Sequence, residues 1–173
     1  RKAAAWVNGT DGTLSDGSYT LSTTNVIYDS TNTASNTTSI TALTNGNYVF
    51  VLDDWNSGRG AAAWGNGSSG SSGTVSAANS IVGSQTTDAV GSGGITALSN
   101  GNYVVISPSW DDGATANVGA VTWGDGTSGT GATVATTNSI YGTTASDQVG
   151  SVGVTALTNG NYVFVLDDWN SGR

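Results

Sequence analysis

The chain has 173 residues and a formal net charge of −8, with four basic residues, twelve acidic residues that are all Asp, and no His, Cys or Met. So few cations exclude binding to nucleic acid or to anionic lipid, because both need a basic surface. Without His or Cys, the chain cannot form Ser-His-Asp or Cys-His nucleophile systems, the usual zinc and haem sites, or disulfides.

The composition still predicts an ordered domain. Hydrophobic residues make up 36% of the chain and include six Trp and six Tyr. Val, Ile, Thr and Tyr alternate between Gly and Asn breaks, which predicts an all-β protein with almost no helix. No apolar run approaches the roughly 20 residues of a membrane span, so we expect no membrane insertion. Asp-only acidity together with abundant Ser, Thr, Asn and Gly favours an extracellular or bacterial cell-surface location.

The chain is an internal repeat. The segment Thr41–Arg59 recurs identically as Thr155–Arg173, and a third version begins at Thr96. Equivalent aromatic residues recur at a nearly constant spacing: Tyr48, Tyr103 and Tyr162, and Trp6, Trp64 and Trp123. We therefore divide the single repeat domain, residues 1–173, into units 1–58, 59–117 and 118–173. The identical stretch indicates recent duplication or deliberate construction.

Turn residues divide each unit into four predicted strands. Ile95–Leu98 ends at Asn100-Gly101, where the Asn-Gly pair predicts a type I′ hairpin turn, and the chain returns as Tyr103–Ile106. A third strand over Val118–Trp123 leads through a Gly-rich turn to a fourth over Thr133–Thr137. The corresponding segments of the preceding copy are Tyr48–Leu52, Ala61–Trp64 and Thr74–Ala78. The returning strand is apolar on both faces, so we expect it to lie between neighbouring sheets.

Four short antiparallel strands, repeated at this spacing, predict a β-propeller made of four-stranded antiparallel blades. There are three blade-equivalents per chain, with split blades at both termini. A stacked solenoid of the same units would satisfy the same alternation.

The two ends of the chain continue one another in the repeat pattern. Arg59 is followed by Gly60-Ala61-Ala62-Ala63-Trp64, and Arg1-Lys2 is followed by Ala3-Ala4-Ala5-Trp6. Two chains would supply six blades, within the range of about four to eight in propellers. We therefore expect self-association through the terminal half-blades as a homodimer ring. A piece of a longer tandem array is the alternative.

Three motifs resemble a known repeat family. They are Val149-Gly150-Ser151-Val152-Gly153-Val154, the stretch Asn100–Pro108 with Asp111-Asp112-Gly113, and Val118–Gly124. This order resembles the FG-GAP repeat of integrin-alpha-like β-propellers, and is closer still to the tandem repeats of very large secreted bacterial proteins of the filamentous-haemagglutinin or adhesin kind. The resemblance implies a propeller with a structural or adhesive role. Such repeats often carry a calcium-binding loop between the first two strands, but here the two-residue Asn-Gly turn stands in its place. The resemblance therefore does not imply calcium binding at this position, and we expect no cofactor.

The loops that follow the second strands carry the candidate ligand-binding residues. Asp next to Trp and Asn could hold a sugar by stacking and hydrogen bonding, or coordinate calcium. The alternative is that the indole rings pack between blades and the carboxylates close turns, as we expect of Trp6, Trp64 and Trp123. The candidate residues are Asp53, Asp54, Trp55, Asn56, Trp110, Asp111, Asp112, Asp167, Asp168, Trp169 and Asn170.

The sequence favours a structural or adhesive repeat module of a secreted or cell-surface bacterial protein, with no catalytic residues. Adjacent Asp side chains in an extended segment point to opposite faces, and one active site rarely needs repeated copies. One alternative is a lectin-like propeller that binds a glycan at several equivalent loops. A second alternative is an engineered symmetric scaffold without a ligand.

Overall fold

The structure, a computed structural model, describes residues 1–31 and 38–167 and consists mainly of short β-strands and the turns between them. The strands are β1 (Ala3–Ala5), β2 (Val26–Tyr28), β3 (Thr38–Ala42), β4 (Tyr48–Leu52), β5 (Ala61–Gly65), β6 (Gly73–Thr74), β7 (Ser80–Val82), β8 (Gly94–Ala97), β9 (Tyr103–Ser107), β10 (Ala120–Gly124), β11 (Ala132–Thr133), β12 (Ser139–Tyr141), β13 (Val154–Ala156) and β14 (Tyr162–Phe164). A short turn covers Trp55–Gly58, and its two central residues, Asn56 and Ser57, have left-handed backbone angles. The described residues contain no helix of the length and apolarity that crossing a membrane requires. The all-β prediction is confirmed.

The sheets follow the repeat along the chain, and below a unit means one antiparallel sheet with its turns, so that its boundaries differ from the division 1–58, 59–117 and 118–173. β3, β4, β5 and β7 form one antiparallel set, and β8, β9, β10 and β12 form the next, with the first strand of each unit at one edge. The pair β1–β2 precedes these two sheets and the pair β13–β14 follows them. No sheet in the described part of the chain closes on itself.

Short parallel strands join each unit to the unit before it. β6 pairs in parallel with β2, and β11 pairs in parallel with β7. The pairing continues for one residue, because the Val75 amide donates to the Tyr28 carbonyl (3.0 Å) and the Val134 amide donates to the Val82 carbonyl (2.9 Å). Both valine side chains are buried. The sheets that end at β2 and at β7 are therefore each extended at that edge by a strand from the next unit.

The predicted fourth strands, Thr74–Ala78 and Thr133–Thr137, were wrong. The outer antiparallel strands are β7 and β12, which start a few residues later. The reason is an Asn side chain that closes a turn: Asn79 Oδ1 accepts the Ser76 amide (2.9 Å), and Asn79 Nδ2 donates to the Thr74 carbonyl (3.0 Å). Asn25 and Asn138 make the same pair of bonds in the other two units.

The type I′ hairpin prediction was also wrong. A type I′ turn needs positive φ at both central residues, but in the first hairpin only Gly46 has it (φ 88°). Gly46 donates its amide to the Leu43 carbonyl, and Leu43 donates to the Asn47 carbonyl, which gives a three-residue loop that ends in a left-handed glycine. Asn45 instead uses its side-chain oxygen to accept the Asn47 amide (3.1 Å). Its amide group is thereby left free to reach the next unit.

The core lies in layers between successive sheets. On one face of β4, Phe50 and Leu52 pack with Ala4 and Ile27 of the preceding unit. On the other face, Val49 packs with residues of β9 and β10. A third layer lies between β9 and β14. Because every residue from Val49 to Leu52 is buried, the strand requires a neighbouring sheet on both sides, as its sequence predicted.

Within a unit, glycines allow the tyrosine ring of one strand and the hairpin backbone to lie close to the next strand and its turn. A Cβ at Gly65 would overlap the Tyr48 ring, and one at Gly124 would overlap the Tyr103 ring. In the adjoining turn, a Cβ at Gly67 would overlap the carbonyl of Gly46, whereas Gly9, at the same turn position in the first unit, has no atom within 4 Å of its added Cβ.

The substitution Gly67→Ala should destabilise the fold, and Gly9→Ala should not. Overlap with a fixed backbone carbonyl typically costs about 1–3 kcal/mol, whereas an alanine added in open space changes stability by about 0.5 kcal/mol or less. Urea denaturation at low protein concentration measures both variants. Equal free energies of unfolding for the two would contradict this packing of the turn.

Tyr103 should make the fold sensitive to alkaline pH. Burial raises the pKa of its hydroxyl to about 12; the Asp125 carboxylate acts in the same direction, and Thr130 opposes the shift. The unfolded chain releases this proton near pH 10 and the folded chain near pH 12. The contribution of Tyr103 to the free energy of unfolding is therefore complete below pH 10. As the pH rises from 10 to 12, this contribution to the free energy of unfolding falls by about 2–3 kcal/mol.

The variant Tyr103→Phe should remove that part of the alkaline loss of stability. Urea denaturation at about pH 9 and about pH 11 measures the change. Tyr19→Phe is the matched control, because the Tyr19 side chain is exposed, and it should retain the pH dependence of the wild type. The same alkaline loss in both variants would argue against a role for Tyr103.

Candidate functional site

The first candidate loop, Asp53–Asn56, is built into the fold. Trp55 is 9% exposed and packs in the core layer beside β1 and β2. Asp54 pairs with Lys2 (Oδ1–Nζ 3.4 Å), both half-buried. Asn56 adopts a left-handed conformation (φ 51°) and donates its amide to Thr31 Oγ1 (3.2 Å). Asp53 is partly buried at the start of the turn.

The second candidate loop, which contains Trp110, Asp111 and Asp112, is also built into the fold. Trp110 is 3% exposed, and its ring meets the Tyr141 ring edge to face, with centroids 6.0 Å apart. The Asp111 carboxylate accepts the Asn117 amide (2.7 Å) and the Thr87 hydroxyl (2.8 Å). Asp112 is exposed and exchanges backbone hydrogen bonds with Thr115. These carboxylates close loops, as turn chemistry predicts.

The structure does not bring the candidate loops together. Trp55 and Trp110 lie in different core layers, and burial leaves neither indole a face for stacking on a sugar. Asp167 is exposed, and Asp168, Trp169 and Asn170 lie outside the described residues. Within residues 1–31 and 38–167, no group of three or more acidic side chains could hold a metal ion.

Two buried aspartates support the loops and were not among the sequence candidates. Asp88 Oδ2 accepts the amides of Ser84 (2.6 Å) and Gln85 (2.7 Å), and its Oδ1 accepts the Asp111 amide (3.1 Å). Asp147 accepts two loop amides in the same way. The signal was present in the sequence, because both aspartates follow a Gly at the same distance along the chain. Asp88 thus ties the loop before β8 to the candidate loop of the next unit.

Each joint between units centres on a tryptophan and a glycine carbonyl. Trp6 Nε1 donates to the Gly67 carbonyl (2.8 Å), and Trp64 Nε1 donates to the Gly126 carbonyl (2.9 Å). The backbone at Gly129 lies directly against the Trp64 side chain. The predicted packing of these two Trp residues between units is confirmed.

Side chains of the Asn-Gly hairpins converge on the same joint. Asn45 Nδ2 and Asn47 Nδ2 each donate to the Gly126 carbonyl at 2.8 Å, so that this oxygen faces three donors. Asn47 Oδ1 also accepts the Gly67 amide within its own unit (2.9 Å). Asn45 Nδ2 also donates to the Gly101 carbonyl of the next hairpin (3.2 Å), and Asn100 Nδ2 repeats that bond at the Gly160 carbonyl (3.3 Å).

The turn that presents the Gly126 carbonyl is held by Asp125. Its carboxylate accepts the Thr127 amide (2.7 Å) and the Ser128 hydroxyl (2.9 Å), and these bonds lower its pKa. Asn66 and Asn8 accept the corresponding amides in the other units. The turn therefore does not require a charged residue. What the three units share at this position is a side-chain oxygen that accepts the amide.

A cleft of about 330 Å³ lies beside the joint. Ser71, Ser128, Thr130 and Trp64 are among the residues that line it. Because the Trp64 N–H is already bonded to Gly126, this indole serves the contact between units.

The repeat seen in the structure corresponds to a known family. The family described as "Repeat of unknown function (DUF5650)" matches residues 42–92, 97–151 and 156–173. No curated protein and no solved structure matches the chain. The resemblance to FG-GAP repeats stays a prediction. The matched segments start at the same intervals along the chain as the equivalent tyrosines, and together they cover more than half of the sequence. The chain therefore belongs to the DUF5650 repeat family.

Proposed function

We propose that this chain is a structural and adhesive repeat module of a secreted or cell-surface bacterial protein. The observation that carries the proposal is the joint between units. The indole of Trp64 and the amides of Asn45 and Asn47, which are good ligand-binding groups, are all directed at one backbone carbonyl of the next unit. Their role in this arrangement is cohesion along the repeat.

The acidic residues support a role without catalysis. Asp88 and Asp111 accept hydrogen bonds from loop amides and hydroxyls, and Asp125 does the same at the joint. In these positions the carboxylates hold loops and turns in place. The surface that such a module would display is rich in Ser, Thr, Asn and Gly.

We also propose that the antiparallel sheets are blades of a propeller. In support, the first strands of successive units lie close together, because Thr96 Oγ1 on β8 donates to the Val154 carbonyl on β13 (3.3 Å). The neighbouring hairpins contact one another through Thr44 Oγ1 and the Leu98 carbonyl (2.9 Å). Such contact between first strands is expected around the centre of a propeller. Two chains would then close a six-bladed homodimer ring.

A glycan array, probed with and without calcium, separates the structural role from the lectin-like alternative. The structural role predicts no binding of the wild type to any sugar, because Trp55 and Trp110 are buried. The matched variant is Trp110→Phe, which retains an apolar ring in the core. Sugar binding by the wild type that is lost in a folded Trp110→Phe chain would overturn the structural proposal.

A further inference from the structure

Asn-Gly pairs stand at two kinds of position in the repeat. One is the hairpin between the first two strands, at Asn45 and Asn100, and the other is the turn after the third strand, at Asn66. In such a pair the glycine nitrogen can attack the side-chain carbonyl of the Asn, because glycine has no side chain that blocks the approach. All three pairs lie at joints between units that the structure describes on both sides. Their surroundings can therefore be compared directly.

The hairpin asparagines are held through their side-chain nitrogens. Asn45 Nδ2 donates to the carbonyls of Gly101 (3.2 Å) and Gly126 (2.8 Å), and Asn100 Nδ2 donates to the Gly160 carbonyl (3.3 Å). Each of the two Oδ1 atoms accepts the amide of the residue two positions further on, at 3.1 Å. Loss of either nitrogen as ammonia would break bonds between units, so the joint opposes it.

The Asn66 side chain has the opposite arrangement. Its Oδ1 accepts the amides of Ser68 (2.8 Å) and Ser69 (3.0 Å). Backbone amides only donate, so the side-chain atom that faces them is the oxygen. In the part of the chain that the structure describes, Asn66 Nδ2 has no hydrogen-bond acceptor. Two donors at the oxygen stabilise the negative charge that develops there when a nucleophile adds to Cγ.

The glycine amides do not distinguish the three pairs. The Gly46 and Gly101 amides each donate to a leucine carbonyl at 3.1 Å, and the Gly67 amide donates to Asn47 Oδ1 at 2.9 Å. Every attacking nitrogen must therefore give up one hydrogen bond. The difference between the pairs lies in the asparagine side chains.

We propose that Asn66 is a site of spontaneous deamidation in the folded chain. Hydroxide removes the Gly67 amide proton, and the nitrogen forms a bond to Asn66 Cγ while an electron pair of the carbonyl moves to Oδ1. The Cγ–Nδ2 bond then breaks, and ammonia leaves with a proton from water, which restores the hydroxide. Water opens the resulting succinimide at either carbonyl and gives aspartate or isoaspartate. This chemistry goes beyond the structural function and does not depend on it.

The turn accommodates the aspartate product. Asp125 occupies the equivalent position in the next unit, where its carboxylate accepts the Thr127 amide at 2.7 Å and the Ser128 amide at 3.4 Å. An aspartate at position 66 keeps the oxygen that closes the turn. At Asn45, by contrast, a carboxylate would face the carbonyl oxygens to which Nδ2 now donates, and the joint would lose those bonds.

The isoaspartate product affects the joint with the preceding unit. It lengthens the main chain by a methylene directly before Gly67, whose carbonyl accepts the Trp6 N–H at 2.8 Å. The bond from Trp64 to the Gly126 carbonyl lies in the following joint and contains no part of the altered turn. Deamidation at Asn66 is therefore expected to loosen one joint and leave the next intact.

Tandem mass spectrometry that resolves each Asn tests the proposal on the wild-type chain, incubated folded at about pH 9, below the titration of tyrosine. Asn66 should convert several-fold faster than Asn45 and Asn100. In concentrated urea the three rates should converge, because each Asn precedes a Gly. Exposure alone favours the reverse order, because Asn45 and Asn100 are exposed and Asn66 is half-buried. Conversion of Asn66 no faster than that of Asn45 or Asn100 in the folded chain would overturn the proposal.

A matched pair of variants tests whether the turn accepts the product. Asn66→Asp should unfold at the urea concentration of the wild type, whereas Asn45→Asp should unfold at a lower one. An equal loss of stability in both variants would contradict the accommodation of aspartate by the turn.

Hydrogen exchange of the indole N–H groups tests the effect on the joint. In a chain converted to isoaspartate at position 66, the Trp6 N–H should exchange faster than in the fresh chain, and the Trp64 N–H should exchange at its original rate. Unchanged exchange at Trp6 in the converted chain would contradict the loosening of that joint.

Discussion

The fold depends on one constraint, which is that each sheet is apolar on both faces and must be covered by its neighbours on both sides. The strand Tyr48–Leu52 meets the constraint through one core layer on each face. The joint then fixes how the next sheet is placed, because the Trp64 indole and two Asn side chains all bond to the Gly126 carbonyl. Repeat units coupled in this way derive much of their stability from the contacts between units.

This constraint explains why the residues that look most like ligand-binding groups serve the structure. Burial of Trp55 and Trp110 supplies large apolar area to two layers, and the Asp and Asn side chains satisfy loop amides that would otherwise lack partners. The cover differs between equivalent positions in the described residues, because Ile81 is fully buried whereas Ile140 is 50% exposed.

The sequence predicted the parts of the fold that depend on local patterns. Alternation and turn spacing indicated the repeat and the first three strands of a unit, and the doubly apolar returning strand proved to lie between two core layers. The fourth strand was misplaced because a side chain, Asn79, ends the extended segment and starts another turn. Asn45-Gly46 was assigned the wrong turn because only the glycine takes positive φ. For the candidate loops, the adjacent Asp-Trp residues were found, but their burial depends on long-range packing, which no local pattern encodes.

Hydrogen exchange of the indole N–H groups, followed by NMR at low protein concentration, tests the joint most directly. The Trp6 and Trp64 N–H groups donate to glycine carbonyls of the next unit, whereas the Trp123 side chain on β10 is 45% exposed. We predict slow exchange at Trp6 and Trp64 and fast exchange at Trp123. Exchange at Trp64 as fast as at Trp123, in a chain that is otherwise folded, would contradict the joint on which the proposed function rests.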